Sequence, residues 1–360
     1  MNVAAFFAQR YAEARGKFLA AAESAGLDVH SHPHPLLGRD GEALAMDVAR
    51  LGAADADALL IISSACHGVE GYCGSGVQNA LLADAEFHAQ AKNAGVALLY
   101  IHGLNPYGFS WLRRTTHENV DLNRNFQDFD SPLPHNEAYA KLAHLLVPAN
   151  WPPSPEVKAA IAAFVAEHGP KGLQAAVSGG QYEYPQGLFY GGRNPTWSHR
   201  TLRHVLRDHG RGCRRLGWLD MHTGLGPNGH GERIFAGADD VAAVSRARAW
   251  WGDAVTSIYD GSSESALLTG LMWLAVRQEC PQAEYTGIAM EYGTVPIGEV
   301  IDALRADQWL ENHPDAPPAQ RTAIKKQVRD AFYTDTTAWK SRIVEQGVAA
   351  ARQAVTGLAG

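Results

Sequence analysis

ALLIISSACHGVEG, residues 58–71, is an apolar run followed at once by a histidine and a glutamate. The run from Ala58 to Ile62 predicts a buried strand, and His67 and Glu70 stand three residues apart just beyond its carboxyl end. Open α/β sheets hold their ligands at that edge. Imidazole and carboxylate groups both bind zinc, and the glycines beside them let the backbone turn sharply. The stretch therefore predicts one strand of an α/β sheet and two ligands of a metal site.

Strands and helices alternate along the rest of the chain. The order strand, loop, helix, strand predicts a βαβ unit, which needs a parallel or mixed sheet covered by helices. Two later strands are each followed directly by a residue capable of catalysis, His222 and Glu291. We predict an α/β fold, an α/β/α sandwich with a mixed, mostly parallel twisted sheet. The predicted strands cover residues 58–63, 96–101, 216–221 and 286–290.

Helical patterns flank these strands. Extra helices follow Pro296, and because no flexible linker precedes them we expect them to pack on the sheet. We therefore predict a single catalytic domain over residues 1–360, with its core at about 58–295. The HSHPHP stretch at 30–35 is predicted to be an extended solvated loop, because prolines interrupt regular structure. The predicted helices cover residues 3–24, 74–92, 136–147, 155–167, 196–208, 241–251, 297–311, 318–333 and 335–356.

Composition limits the classes of protein that the chain can be. Hydrophobic residues make up 46% of the 360 residues, enough for a large core. The net charge is −7, and the lack of a Lys/Arg block argues against nucleic acid and membrane surfaces as partners. The apolar amino-terminal patch is interrupted by charges before it reaches signal-peptide or transmembrane length. Four cysteines without a CxxC pair suit reduced, buried thiols, so we expect a cytoplasmic protein and leave a homo-oligomer open.

A third ligand is needed before His67 and Glu70 can form a catalytic metal site. Catalytic zinc takes three protein ligands and keeps one open position for water. His222 follows a predicted strand and precedes a glycine-rich loop, which places it at the same edge of the sheet. A single histidine is more often structural, but three ligand types at strand ends favour one shared ion.

The segment VDLNRNF at 120–126 offers groups that bind a carboxylate. The guanidinium of Arg124 can hold a carboxylate with two parallel hydrogen bonds, and the amide of Asn123 adds another donor. Arg113 and Arg114, just upstream, offer a cation near a carbonyl oxygen that becomes negative during attack. The alternative is that these arginines form surface salt bridges, worth about 0–1 kcal/mol.

Five motifs follow one another in a fixed order. In this order they resemble those of the zinc carboxypeptidase superfamily, including its aspartoacylase and succinylglutamate desuccinylase branch. The resemblance spans about residues 58–295. Within the superfamily, the chain looks most like an uncharacterised bacterial, metallopeptidase-like branch. It implies a carboxypeptidase-like sandwich and a Zn²⁺ cofactor. The motifs are HGVEG at 67–71, NPYGF at 105–109, VDLNRNF at 120–126, DMHTG at 220–224 and MEYGT at 290–294.

The resemblance also implies a role for each matching residue of the metal site. His67, Glu70 and His222 match the zinc ligands. Asp121 matches a carboxylate that accepts a hydrogen bond from a ligand imidazole, which we take to be that of His67, and so fixes its tautomer. Glu291 matches the general base, which takes a proton from water and delivers it to the departing amine. The alternative for Glu291 is a surface ion pair at a strand end.

Further matches concern the substrate. Asn123 and Arg124 match the pair that holds a terminal carboxylate. Either Arg113 or Arg114 matches the arginine that stabilises the oxyanion; the spacing does not decide, and we favour Arg114. Carboxypeptidases also use a tyrosine on a mobile loop, and the sequence does not identify its counterpart among Tyr182, Tyr184, Tyr190, Tyr259 and Tyr285.

Together these residues predict a zinc-dependent hydrolase that cleaves an amide bond in a small, carboxylate-bearing peptide or amino-acid conjugate. The first version is a carboxypeptidase-like metallopeptidase, and the second is an aspartoacylase-like deacylase of N-acyl amino acids. A rival from another class is a catalytically silent protein that captures carboxylated ligands through Asn123 and Arg124. The glycine-rich loop at 224–232 lacks the Gly-Lys-Ser/Thr ending of a P-loop, but its His230 and Glu232 are candidates for contacts at the site.

Overall fold

An eight-stranded sheet forms the centre of the computed structural model, which describes residues 2–360. Its strands are β1 (Val29–Leu37), β2 (Ala43–Leu51), β3 (Ala58–Ser64), β4 (Val96–His102), β5 (Arg215–Asn228), β6 (Gly231–Phe235), β7 (Val255–Thr256) and β8 (Glu284–Gly293). They are ordered β1-β2-β4-β3-β5-β8-β6-β7. The central strands β4, β3, β5 and β8 are parallel, whereas β2 and β6 join them antiparallel. The carboxyl ends of the central strands therefore meet at one edge.

Helices cover both faces of the sheet, so the predicted α/β/α sandwich and mixed sheet are confirmed. One face packs against α1, α2, α3, α8 and α12, and the other against α7 and α9. The helices are α1 (Tyr11–Ser24), α2 (Gly71–Leu82), α3 (Ala85–Asn93), α4 (Pro106–Trp111), α5 (Glu137–Leu146), α6 (Pro155–Ser178), α7 (Trp197–Gly210), α8 (Val241–Trp251), α9 (Ala275–Glu279), α10 (Ile297–Asn312), α11 (Pro318–Phe332) and α12 (Thr337–Ala359).

Strand β3 illustrates how the sequence builds these layers. All of its residues are buried, which is typical of a parallel strand with helices on both faces. Because side chains alternate along a strand, Leu60 and Ile62 join the core under α2 and α12, whereas Leu59 and Ile61 join the core under α7. This fully buried strand thus places His67, which follows it in the sequence, at the carboxyl edge of the sheet.

The HSHPHP stretch differs from its prediction. Residues 30–35 lie in β1, which pairs antiparallel with β2, and are not a solvated loop. A proline lacks an N–H donor, but β1 is an edge strand, where one side of the backbone needs no partner. The pairing register shifts between Pro33 and Leu37. The prolines therefore shape the edge of the sheet and do not prevent its formation.

Other boundaries also differ from the sequence predictions. The opening helix is a short 3-10 turn over Val3–Phe6 followed by α1, and the helix predicted over 74–92 is divided at Asp84. The side chain of Asp84 accepts a hydrogen bond from the Phe87 N–H and begins α3, as an N-cap does. Strands β1, β2, β6 and β7 were not predicted; all four lie at or beside the two edges of the sheet.

The carboxyl-terminal helices occupy two places. Helix α12 lies along the sheet against α2 and α8, while α10 and α11 pack on each other and against the end of β5. All four cysteines are buried and free, as predicted. Among residues 2–360, no helix is both long and apolar enough to cross a membrane.

Candidate active site

Three side chains of metal-binding type converge at the carboxyl edge of the sheet. His67 follows β3, Glu70 ends a 3-10 turn over Gly68–Glu70, and His222 lies in β5. The Nδ1 atom of His67 lies 2.9 Å from Glu70 Oε1, and the Nδ1 atom of His222 lies 3.1 Å from Glu70 Oε2. The two Nδ1 atoms are 3.2 Å apart. The structure therefore brings together the three predicted ligands, although His67 and His222 are 155 residues apart in the sequence.

The loop that carries His67 and Glu70 is held by the segment that contains the NPYGF motif. Gly68 packs so closely on Gly108 that a Cβ atom there would lie 2.0 Å from the Gly108 carbonyl carbon. The Gly68 N–H donates to the Arg114 carbonyl at 3.1 Å, and the Val69 N–H donates to the Arg113 carbonyl at 2.8 Å. A glycine is therefore required at position 68, and the two motifs form one unit.

Each ligand histidine presents its outer nitrogen to a carboxylate. His67 Nε2 lies 3.2 Å from Asp121 Oδ1, and His222 Nε2 lies 2.5 Å from Asp220 Oδ2. The other oxygen of Asp220 accepts a hydrogen bond of 2.6 Å from Ser63 Oγ. Such outer carboxylates orient a ligand imidazole and place its proton on Nε2.

The sequence reasoning identified Asp121 but missed Asp220. The signal that was available is its spacing, because Asp220 precedes His222 by two residues in a strand and so lies on the same face of the sheet.

The donor set fits a divalent cation. With protons on both Nε2 atoms, the two Nδ1 atoms turn lone pairs toward each other and toward the Glu70 carboxylate, an arrangement that a cation between them would stabilise. Burial alone would raise the pKa of Glu70, but His67 and His222 outweigh it and hold that pKa below the ordinary value. Burial alone would lower the pKa of His222, but Asp220 and Glu70 hold it well above the ordinary value. Two imidazoles and one carboxylate are typical of catalytic zinc sites with an open position.

Arg114 lies against the ligands, whereas Arg113 does not. Arg114 donates from Nε to Asp121 at 2.9 Å and from Nη1 to Glu70 at 3.1 Å, and its Nη2 lies 2.8 Å from His67 Nε2. A hydrogen bond from Arg114 Nη2 to His67 Nε2 requires an unprotonated Nε2, so the imidazole proton is then on Nδ1. In that tautomer His67 cannot donate from Nε2 to Asp121. An ion held by Nδ1 would reverse this choice, and Nη2 of Arg114 would then be free to face the cavity.

Arg113 points away from the ligands, so the choice that the sequence left open is decided by position. Its guanidinium donates to Asn119 at 2.9 Å and lies 3.4 Å from Asp307 of α10. Arg113 is buried, but it does not line the cavity that contains the ligands. Of the two arginines named from the sequence, Arg114 is therefore the one that this structure places against the ligands, and the Arg113 side chain is occupied on the other side of the loop.

Arg124 is a buried cation without a carboxylate partner. Only 2% of its surface is exposed, and its guanidinium donates to the carbonyl oxygens of Ser178 and Asn123. No carboxylate within residues 2–360 lies at ion-pair distance from it, and burial lowers its pKa against the opposing effect of the Asp121 charge. The Oδ1 atom of Asn123 accepts from the Met272 N–H at 2.9 Å, and its Nδ2 donor has no hydrogen-bond acceptor within residues 2–360. Both residues line the cavity and offer donors to an anion.

Glu291 is the remaining acidic group of the cavity. It lies in β8 directly beside His222 in the sheet register, and its Oε1 accepts a hydrogen bond of 3.1 Å from the Leu225 N–H. Burial raises the pKa of Glu291 to about 8, and the neighbouring charge of Glu70 adds to the rise. A carboxyl group whose pKa lies near neutrality can both accept and donate a proton. No ion pair holds it within the described chain, which removes the alternative of a surface salt bridge.

One cavity of about 100 Å³ is lined by His67, Arg114, Asn123, Arg124, His222 and Glu291. Its walls are mostly apolar on two sides. Strands β6 and β8 and the loop that follows β7 supply one wall, with Ile234, Ile258, Leu268, Trp273 and Ala289. Helices α10 and α11 supply the other, with Ile297, Val300, Ile301, Leu304 and Phe332.

The loop residues singled out in the sequence lie elsewhere. Among residues 2–360 no tyrosine lines this cavity, so the carboxypeptidase-type tyrosine has no counterpart in this arrangement. The buried hydroxyl of Tyr182 donates to the Arg124 carbonyl at 2.7 Å. His230 and Glu232 line a neighbouring cavity of about 410 Å³ and not that of the ligands.

Comparisons with known proteins identify a family and a set of similar structures. The sequence model of a family described as "Protein of unknown function (DUF2817)" matches residues 7–346. No curated protein matches the chain.

Three solved structures illustrate the range of similarity. A candidate metallopeptidase from Shewanella amazonensis is 16% identical over 84% of this chain and 92% of that chain, with a TM-score of 0.41. Carboxypeptidase A from Helicoverpa armigera is 11% identical over 90% and 74%, with a TM-score of 0.40. A protein of the succinylglutamate desuccinylase/aspartoacylase family from Shewanella amazonensis is 16% identical over 80% and 73%, with a TM-score of 0.34. Both predicted branches are thus among the similar structures.

Proposed function

The chain belongs to the DUF2817 family, and for it we propose a zinc-dependent hydrolase that cleaves an amide bond in a small peptide or amino-acid conjugate bearing a free carboxylate. His67, Glu70 and His222 would hold the ion, with Asp121 and Asp220 orienting the two imidazoles. A divalent cation bound there supplies a Lewis acid for the scissile carbonyl and makes water more acidic. Zinc is favoured over magnesium or calcium because two of the three ligands are imidazoles.

Glu291 would move the proton. As the oxygen of water bonds to the carbonyl carbon, Glu291 takes the proton of that water. It then delivers the proton to the amine nitrogen as the carbon–nitrogen bond breaks. Its raised pKa in the metal-free protein supports this role, because a higher pKa makes the carboxylate a stronger base toward the water.

Arg114 and Arg124 would hold the two negative oxygens of the reacting molecule. Arg114 lies beside the ligands and can stabilise charge that develops on the carbonyl oxygen. Arg124 and the Nδ2 of Asn123 would bind the carboxylate of the substrate, which gives a buried guanidinium the direct ion pair that the described residues do not supply. The substrate would therefore lie between Arg124 and the metal ligands.

One observation carries the proposal: His67, His222, Glu291 and Arg124 line the same cavity, and Glu70 lies within ligand distance of both histidines. The rival function, a catalytically silent protein that binds carboxylates, needs Arg124 but has no use for a buried carboxyl group with a pKa near 8 beside the ligands. A cytoplasmic location, the single-domain organisation, and the lack of nucleic-acid or membrane partners stay predictions from the sequence.

Elemental analysis of the purified protein, followed by a hydrolysis screen, tests the function. We expect one zinc ion per chain and chelator-sensitive cleavage within a panel of dipeptides and N-acyl amino acids, followed by mass spectrometry of the products. Release of an amino acid from a dipeptide indicates a peptidase, and release of a carboxylic acid indicates a deacylase. A metal-loaded protein that cleaves no member of the panel would contradict the proposal.

A further inference from the structure

Helices α10 and α11 form a wall of the catalytic cavity that carries no charge. Val300, Ile301 and Leu304 project from α10, and Phe332 ends α11 in the same wall. Val300, Leu304 and Phe332 are buried. Among the described residues of these two helices, no charged or hydrogen-bonding side chain lines the cavity. A group that meets this wall therefore finds only carbon atoms.

Polar contacts hold this wall in place. Lys325 of α11 lies 2.6 Å from Asp307 and 2.9 Å from Glu311, and so joins α11 to α10. Arg113 approaches the same Asp307 from the ligand loop, and Arg305 donates at 2.9 Å to the last carbonyl of α5. Because α10 is fastened to three neighbours, the wall is a fixed boundary of the cavity.

The wall begins beside the metal ligands, whereas Asn123 of the carboxylate-binding pair is held from the other wall. Thr223, which follows His222, donates from Oγ1 to the Phe332 carbonyl at 2.8 Å. A Cβ atom on Gly224 would lie 2.9 Å from the Phe332 ring. Asn123, in contrast, is fixed by the backbone of Met272, next to Trp273 in the opposite wall. A substrate with its carboxylate at Arg124 and its amide at the ligands therefore directs its acyl group toward α10 and α11.

We propose that the acyl group of the substrate is short, uncharged and apolar, so that the enzyme acts on short-chain N-acyl amino acids and not on free dipeptides. This inference rests on the proposed function. An apolar cavity of about 150 Å³ holds benzene, so one of about 100 Å³ leaves room for only a few carbon atoms beyond the reacting groups. The free ammonium group of a dipeptide would lose its water at the carbon wall, where no side chain of α10 or α11 among the described residues replaces that water.

A matched pair of substrates isolates the charge. N-(2-methylpropanoyl)leucine and alanylleucine differ by a methyl group in place of the ammonium group. We expect kcat/KM for the acyl compound to exceed that for the dipeptide by at least about tenfold. In the series acetyl-, butanoyl-, hexanoyl- and decanoyl-leucine, kcat/KM should rise by about fourfold per methylene while the chain fits, and fall when it does not.

Two variants shorten side chains of the wall, and a third variant is their control. Val300→Ala and Ile301→Ala enlarge the cavity and should shift the preferred acyl chain to a longer one. Val328→Ala is the same truncation at a buried residue of α11 that does not line the cavity. It should leave the preferred acyl-chain length unchanged. Zinc content and thermal unfolding are measured for each, and Ile301, which is only half-buried, keeps the test usable if Val300→Ala does not fold.

Hydrolysis and binding together separate the two proposals. The same ligands are titrated calorimetrically into the zinc-loaded Glu291→Gln variant, which reports the preference of the cavity without turnover. Equal binding of alanylleucine and its uncharged partner, or a chain-length preference that Val300→Ala and Ile301→Ala both leave unchanged, overturns the inference even if amides are cleaved. Selective binding of short apolar acyl chains without any hydrolysis by the native protein supports the inference and removes the proposed function.

Discussion

Replacing Asp220 with asparagine removes the carboxylate that orients His222 without touching a metal ligand. Asp220 lies 2.5 Å from His222 Nε2 and 2.6 Å from Ser63 Oγ, and it is almost fully buried. The single amide oxygen of asparagine can replace only one of these contacts, and it carries no charge. Loss of such a carboxylate typically weakens metal binding by about 10–100-fold. Because this contact is short and buried, we expect the upper part of that range, which corresponds to about 2–3 kcal/mol.

The pH dependence of metal binding makes this prediction sharper. Asp220 is the main group that holds the pKa of His222 above its ordinary value, against the effect of burial. A proton on His222 competes with the metal, so the native protein loses more affinity on acidification than Asp220→Asn does. The ratio of the two dissociation constants should therefore be largest at alkaline pH and smaller at acidic pH. Competition with a fluorescent zinc chelator across this pH range measures both constants.

The control for this experiment is Asp57→Asn. Asp57 pairs with Arg214 at the surface, so the substitution also removes one carboxylate but should leave zinc affinity unchanged. If Asp220→Asn folds normally and binds zinc as tightly as Asp57→Asn, Asp220 does not orient a metal ligand. The contact between Asp220 and His222 would then be incidental to metal binding.

Four further outcomes are expected. Glu291→Gln should keep zinc but lower kcat by about 10²–10⁴-fold. The control Glu284→Gln, on the same strand, should leave kcat unchanged. Loss of zinc from Glu291→Gln would argue against a purely proton-transferring role. In the metal-free protein, the raised pKa of Glu291, about 8 against 4.5, means that the folded state holds its proton longer than the unfolded state. Stability should therefore fall as pH rises from about 5 to about 8, and Glu291→Gln should flatten this slope in thermal unfolding. Arg124→Met should raise KM by about 10–100-fold with zinc retained, because it removes a charged hydrogen-bonding partner of the carboxylate; an unchanged KM places the carboxylate elsewhere. Arg113→Ala should lower the free energy of unfolding by about 2 kcal/mol, less than for a lone buried pair because Lys325 still neutralises Asp307, and leave zinc binding intact.

Some features of the site were visible in the sequence because they depend on local order. Side chains that follow buried strands must lie at one edge of a parallel sheet, so His67, Glu70, His222 and Glu291 could be assigned to one region before any coordinates. Their residue types then suggested a metal and a base. The resemblance to a known superfamily then implied a role for each of these residues.

Other features depend on contacts between distant segments. The sequence did not choose between Arg113 and Arg114, because adjacent residues can point in opposite directions and only packing decides which one meets the ligands. It assigned residues 30–35 to a loop, because propensity does not reveal that a strand will lie at an edge where prolines are tolerated. It gave no role to the carboxyl-terminal helices beyond covering the sheet.

The sequence by itself determined the chemistry that this chain can offer: two imidazoles, a carboxylate and a base beyond apolar strands, together with a charge pattern that disfavours nucleic acid. Only the tertiary structure decided how these groups act together. It placed the two Nδ1 atoms 3.2 Å apart, buried Arg124 without a direct ion pair among the described residues, and set an uncharged wall from α10 and α11 beside the ligands. Local propensity acts over a few residues, whereas these arrangements join segments that only the packing of the sheet and its helices brings into contact.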